Sequence, residues 1–250
     1  MTWGAADWQL VAVWLEPMHE RLVAAVDPKR GERWLDVATG TGATALLAAA
    51  AGAEVTAQDL APGMIDRARG LAEDEGLSIR FDVGDAEALP YDDGSFDIVA
   101  SAVGMILTPN HRAMAAQVAR VCKPGGRLGF TAWRPGVEYF TLMKQFQPPP
   151  EPGADDRENW GREEYVQKLL GDDFELSFEE GDNPFVGESG AEIWERQLAG
   201  VGTVQTLYRS FEPERQRELE RTIVGYFDRY RVGGEVHAPG PYLLVRGRRR

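Results

Sequence analysis

Strand and helix patterns alternate through the first half of this chain at a spacing that few folds can accommodate. "RWLDVA" is a short apolar run, "TALLAAAAG" a helical one closed by Gly52, and "AEVTAQDL" a second strand. "PGMIDRARGLAEDEG" reads as a helix, with Pro62 in its first turn and Gly76 at its end. "SIRFDVGD", "SFDIVASA" and "GGRLGFTAW" bring the strands to five, the last two separated by the helix "HRAMAAQVARVC". Strands joined through helices cannot pair as hairpins; they form a parallel sheet with right-handed crossovers and helices on both faces. The expected class is α/β.

The flanks are less regular. Leu10, Val13, Trp14, Met18, Leu22 and Val26 recur at three- and four-residue steps, predicting a helix that Pro28 and Gly31 end. Beyond Trp133, "FQPPPEPGADD" is a Pro-rich loop, "REEYVQKLLG" a short helix and "FELSFEE" an alternating strand. A long helical stretch containing "EIWERQLAG" and "ERQRELERTIVGYFDRY" precedes a last strand, "PYLLVRGRR". The expectation is one domain over 1–250: a helical lid at 1–30, a cofactor-binding core at 31–135, and a helical substrate-side cap with the last strands at 136–250.

Charge narrows the partners. The formal net charge is −13, and residues 151–195 hold 15 acids against three bases, leaving the remainder almost neutral. Nucleic acid needs compensating Lys and Arg, so no nucleic-acid partner is expected. No run reaches about 18 apolar residues, so no membrane span is expected. "MTWGAADWQL" lacks the basic and apolar regions of a secretion signal. The lone Cys122 rules out a disulfide framework or a cysteine-rich metal site, and fits a cytoplasmic protein without a metal. Nothing identifies a self-complementary patch, so the oligomeric state is not read.

Gly40 and Gly42 fall between the first strand and the next helix. In an open α/β sheet that crevice, at the carboxyl ends of the strands, is where ligands bind. Missing Cβ atoms permit the tight turn and a close approach to the backbone, and the helix N-terminus adds free N–H donors. Taken alone, Gly40, Gly42 and Ala45 also fit a plain tight turn. Asp59 ends the second strand, nineteen residues after Gly40, where a carboxylate can accept both ribose hydroxyls. A nicotinamide-dependent oxidoreductase would offer the same Gly and Asp. Asp36, however, would repel a pyrophosphate and suits a ligand with a cationic end. No Gly-Lys-Ser/Thr follows, which excludes a P-loop.

"LDVATGTG", "VTAQDLAPGMIDRAR", "GDAEALPYDDGSFDIV" and "VCKPGGRLGFTAW", in that order, resemble the successive motifs of class I S-adenosylmethionine-dependent methyltransferases. The resemblance covers about residues 30 to 135, and within that group is similar to quinone-biosynthesis methyltransferases, but the region after Trp133 lacks their ending, which leaves a natural-product O-, N- or C-methyltransferase equally open. It implies a Rossmann-like seven-stranded sheet whose last strand is antiparallel, and S-adenosylmethionine as cofactor. It places Gly40 and Gly42 along the methionine and ribose, Asp36 near the amino group, and Asp59 on the ribose hydroxyls. Asp85 would accept from the adenine amino group, the Ala86 N–H would donate to the ring, and Leu60 and Leu89 would wall it. Ser101 and Ala102 would face the methionine. One departure stands out: Ala38-Thr39 occupies a place where many relatives have a further glycine, with Thr39 still able to offer its N–H.

The implied reaction is in-line methyl transfer to a small, apolar or aromatic acceptor. Alignment of nucleophile, methyl carbon and sulfur supplies on the order of 7–11 kcal/mol of such a barrier. A general base is needed only for a protonated nucleophile, where it adds roughly 10²–10⁴-fold. His111, His19 and His237 are the candidate bases, none decisive. Trp3, Trp8 and Trp14, before the first strand, and Met105, Ile106 and Trp133, after strands four and five, are candidate lining for the acceptor. A protein that binds the cofactor without turnover is the other reading.

Overall fold

The computed structural model describes residues 9–149 and 152–250. Helices α1 (Gln9–Ala12) and α2 (Glu16–Val26) precede β1 (Arg33–Val37). There follow α3 (Ala43–Ala50), β2 (Glu54–Asp59), α4 (Pro62–Asp74), β3 (Ile79–Val83), β4 (Phe96–Ala102), α5 (His111–Val121) and β5 (Cys122–Trp133). Beyond these lie α6 (Glu138–Lys144), α7 (Glu163–Leu170), β6 (Phe174–Asp182), β7 (Phe185–Gly187) and α8 (Gly190–Gly200). The chain closes with α9 (Gly202–Arg209), α10 (Pro213–Asp228), β8 (Arg231–Val232), β9 (Glu235–Ala238) and β10 (Pro241–Arg249).

Seven strands form one sheet in the order β3-β2-β1-β4-β5-β10-β6. β1 pairs in parallel with β2 and β4, β2 with β3, and β4 with β5. β10 runs antiparallel to β5, from Tyr242↔Trp133 to Arg248↔Arg127. This is the seven-stranded, mostly parallel, Rossmann-like sheet that the motifs imply. Trp34, Leu35, Asp36 and Val37 of β1 are all fully buried, as a central strand covered on both faces must be. Gly129 of β5 is where α2 comes down: a Cβ there would run into Val26 and Leu22.

The described residues group into two compact units. One comprises 16–135, 153–181 and 242–250, and holds the seven-stranded sheet with α2 to α5 and α7. The other comprises the described parts of 1–15, 136–152 and 182–241. These boundaries cut across the expected segments: α1 and α2 part company, and α7, β6 and most of β10 join the sheet unit.

The second unit is not wholly helical, contrary to the sequence reading. Beside α1, α6 and α8 to α10 it carries a three-stranded sheet, β7-β9-β8. Strands of two to four residues are too short to impose a visible alternation. The turn was nevertheless written in the chain: Gly233 and Gly234 both take positive φ between β8 and β9, as a two-residue antiparallel hairpin demands. Its core is aromatic, with the Tyr139 ring centroid 5.2 Å from Phe185 and 5.5 Å from Phe227.

Candidate active site

The strand order reverses at β1, which lies between β2 and β4, so the crevice beyond the carboxyl ends of β1 and β4 is the sheet's topological switch point. The backbone there is strongly turned. Ala38 (φ 54°), Gly40 (58°) and Gly42 (89°) all adopt left-handed conformations. Gly42 also leaves little room for a side chain, since a Cβ would lie 3.1 Å from Ala68 Cβ. Ala38 is the unexpected member: its place requires positive φ, and here a Cβ is accommodated under strain of roughly 1–2 kcal/mol.

Across the crevice, Ser101 brackets the two strand ends. Its Oγ donates to the Val37 carbonyl (2.7 Å) and accepts from the Met105 N–H (2.9 Å). Gly104 follows, and a Cβ at that position would sit 2.5 Å from the Ala38 carbonyl oxygen. Ser101 thus fixes the crevice wall with a hydroxyl already engaged inside the protein. The Thr39 N–H, expected to be free for a ligand, instead donates to the Gln58 carbonyl at 2.9 Å, joining the turn to β2.

Two carboxyls frame the turn. Asp36 is fully buried, and its Oδ2 accepts from the Thr39 hydroxyl at 2.6 Å and the Thr44 hydroxyl at 2.8 Å. Its Oδ1 has no hydrogen-bond partner among the described residues. Burial pushes the Asp36 carboxyl up to about 6, against the pull of the two hydroxyls and the Ala45 N–H, with the Asp59 charge adding to the rise. Asp59 is partly buried: Oδ2 accepts from the Gly40 N–H (2.8 Å) and Oδ1 from the Ala61 N–H (2.9 Å). Burial raises this carboxyl as well. Two desolvated acids beside an open glycine turn favour a ligand that brings positive charge, and they oppose a pyrophosphate. An orphaned buried carboxylate oxygen and a bare turn both fit S-adenosylmethionine, whose ammonium and sulfonium are cationic.

Farther along the strand ends, Leu60 is 62% exposed, so it is not core and is free to cover a flat ring. Leu89 is buried in the main core. Asp85 is exposed and caps its own turn through the Glu87 N–H (2.9 Å), while Ala86 is buried. Glu87 reaches onward to the Asn110 N–H at 2.8 Å, tying this loop to the start of α5.

Beyond β4 and β5 the structure gathers Met105, Ile106 and Trp133, with Met105 and Ile106 buried and Trp133 half-buried. His111 starts α5, yet it is fully buried rather than the surface residue a helix start suggests. Its Nδ1 lies 2.9 Å from the Tyr165 hydroxyl, and burial lowers its pKa against the opposing charges of Asp155 and Asp156. His19 is buried in α2, and burial pulls it down to about 4. His237 stands exposed on β9 in the second unit beside Glu235. Trp14 also belongs to the second unit: its indole donates to the Val186 carbonyl (3.1 Å), and its ring meets Phe185 edge-on. Trp3 and Trp8 lie outside the described residues. Sequence reasoning missed Thr44, Gly104 and Trp160. Only Thr44 left a signal, a hydroxyl in the first turn of the helix after the glycines.

Among the described residues no helix is long and apolar enough to cross a membrane. Residues 35–126 match the family model described as a methyltransferase domain. An uncharacterized protein of Mycobacterium tuberculosis is 38% identical over 174 residues, 68% of this chain and 64% of its own length. The demethylmenaquinone methyltransferase of Thermus thermophilus is 41% identical over 135 residues, 53% of this chain and 56% of its own. The chain thus spans somewhat under two thirds of the curated relatives it matches. Among solved structures, geranyl diphosphate methyltransferase in complex with S-adenosylmethionine superposes with a TM-score of 0.59 at 15% identity, covering 94% of this chain and 85% of that one. A Bacillus halodurans protein solved as a candidate methyltransferase gives 0.65 at 23% identity, covering 92% and 97%. These two likenesses establish the fold. With the matched segment spanning the glycine turn, both carboxyls and the β4 wall, the core of this chain belongs to the class I S-adenosylmethionine-dependent methyltransferase domain family, in distant kinship with the demethylmenaquinone enzymes.

Proposed function

We propose that this chain transfers a methyl group from S-adenosylmethionine to a small apolar or aromatic acceptor. The observation that carries the reading is the pair of desolvated carboxyls, Asp36 and Asp59, held at the glycine turn where β1 meets its neighbours. When bound, the sulfonium supplies an activated methyl group. The chain's own residues hold and orient it. Asp36, with Thr39 and Thr44 fixing one oxygen, offers the other to a cationic group. Asp59 is kept in place by the Gly40 and Ala61 N–H groups, facing a ribose from the end of β2. Gly40 and Gly42 give the backbone its close approach. Asp85, Ala86 and Leu60 serve the adenine, while Ser101 acts by holding the wall in position.

The kinship with demethylmenaquinone methyltransferases supports an aromatic acceptor, and so do the apolar Met105, Ile106 and Trp133 beyond β4 and β5. Calorimetry with S-adenosylhomocysteine and, separately, NAD tests the reading. S-adenosylhomocysteine is expected to bind and NAD not, and Asp59→Ala is expected to weaken binding at least about tenfold while leaving the circular-dichroism spectrum unchanged. NAD binding in its place would overturn the assignment. Cofactor binding without turnover over a broad acceptor panel would identify a silent binding protein instead.

A further inference from the structure

His111 and Trp160 present an arrangement that core packing does not explain. Both are fully buried, with ring centroids 5.1 Å apart. His111 Nε2 and Trp160 Nε1 are both buried and without a hydrogen-bond partner among the described residues. Leaving a buried polar group unpaired is costly, so two in adjoining rings call for a shared partner. Their place in the fold is specific. Trp160 stands in a 3-10 turn, Arg157–Gly161, that lies on the end of β5: Gly161 abuts the Trp133 carbonyl, and Arg134 Nη1 donates to the Gly161 carbonyl at 2.8 Å. His111 opens α5, shortly after β4, and its backbone N–H donates to Asp155 Oδ2 at 3.0 Å. Phe130 of β5 packs edge-on against Trp160 at 5.4 Å. The pair therefore sits beyond the ends of β4 and β5, within the sheet unit.

We propose that His111 Nε2 and Trp160 Nε1 bind the hydroxyl oxygen of the acceptor, making this chain an O-methyltransferase for a phenol or apolar alcohol. The inference rests on the methyltransferase reading and adds the acceptor class. One oxygen satisfies both rings: it accepts from the indole N–H and donates its proton to the imidazole. For that, His111 must carry its proton on Nδ1 and donate it to the Tyr165 hydroxyl, 2.9 Å away, leaving the Nε2 lone pair free. A second oxygen lone pair forms the bond to the methyl carbon as the carbon–sulfur bond breaks. The bonding pair goes to sulfur, and the hydroxyl proton goes to Nε2. Burial, which keeps the imidazole neutral, suits it to that role. Both rings are closed off in this structure, so the proposed binding requires that the turn Arg157–Gly161 shift to admit the acceptor.

The test combines nitrogen-15 NMR with turnover. In labelled protein saturated with S-adenosylhomocysteine at pH 7.5, His111 is expected to show the neutral Nδ1–H tautomer. Added phenol is expected to shift the His111 Nε2 and Trp160 indole signals together, and Trp160→Phe to abolish the His111 shift. With S-adenosylmethionine and a panel of phenols and apolar alcohols, His111→Gln is expected to reduce kcat by about 100-fold or more with S-adenosylhomocysteine affinity unchanged. Tyr165→Phe, which keeps the ring, should raise the Nε2–H tautomer population and lower kcat in proportion. An Nε2–H tautomer in the wild type, signals blind to phenol while S-adenosylhomocysteine is bound, or methylation confined to amine and carbon acceptors would each overturn the proposal and leave the methyltransferase reading standing. Failure of S-adenosylhomocysteine to bind would take down both.

Discussion

Asp36 and His19 make opposite demands on the fold over the same range of pH, and the two nearly cancel. Asp36 is fully buried, and its carboxyl stands at about 6 against 3.8 for the free group. The unfolded chain therefore ionises this acid first. Its stabilisation is fully present below about pH 4 and is lost as pH rises through 6, a loss of about 3 kcal/mol at 1.36 kcal/mol per pH unit. His19, also buried, stands at about 4 against 6.5. Here the unfolded chain takes up the proton first, so stabilisation of about 3 kcal/mol is present above pH 6.5 and lost as pH falls through 4. Urea unfolding at pH 4, 5, 6 and 7, in the absence of cofactor, separates the pair. Asp36→Asn should gain about 3 kcal/mol relative to wild type between pH 4 and 7, whatever constant offset the new amide introduces. His19→Gln should lose about as much over the same interval. Taking differences removes the titration of every carboxyl that does not interact with the substituted residue; Asp59, whose charge adds to the rise at Asp36, is followed alongside by Asp59→Asn. A difference that stays flat with pH for either variant would refute the burial argument for that residue.

The same carboxyl links cofactor binding to pH: because a cation favours its ionised form, S-adenosylmethionine affinity should strengthen through pH 6 in wild type and stay flat in Asp36→Asn, read by calorimetry. Relief of the left-handed strain at Ala38 predicts that Ala38→Gly stabilises the fold by about 1 kcal/mol and raises Tm by about 2–4 °C in a thermal scan. Gly104→Ala would drive a Cβ to 2.5 Å from the Ala38 carbonyl, so it should destabilise by about 1–3 kcal/mol and weaken cofactor binding.

The sheet was legible because its signals are local. Most of the first five strands are short apolar runs bounded by a helix of recognisable period, while the seven-strand sheet and its antiparallel last strand were implied by the family resemblance. The second unit was legible only in part. Its helices carry their own periodicity, but β7 depends on a partner distant in the chain, through Phe185↔Ala238, and the β8–β9 hairpin is too short to show an alternation. Trp14, read as candidate lining for the acceptor, shows commitments the sequence does not reveal: its ring meets Phe185 edge-on and its indole donates to the Val186 carbonyl within the second unit.

At the site, residue types were readable and their commitments were not. A sequence shows that Thr39 has an N–H and Ser101 a hydroxyl; it does not show that β2 takes the first and Val37 the second. Hydrogen-bond donors near a ligand divide into those that build the cradle and those left over for the guest, and only three-dimensional pairing makes the division. Asp36 shows the converse. Because Thr39 and Thr44 both converge on Oδ2, Oδ1 is left buried and without a hydrogen-bond partner among the described residues. A fully paired Asp36 would have been a structural acid, and the glycine turn beside it only a tight corner. On the proposed reading, its half-satisfied state gives the bare turn a chemical purpose, since a bound cation would offset the cost of a buried, unpaired carboxylate oxygen.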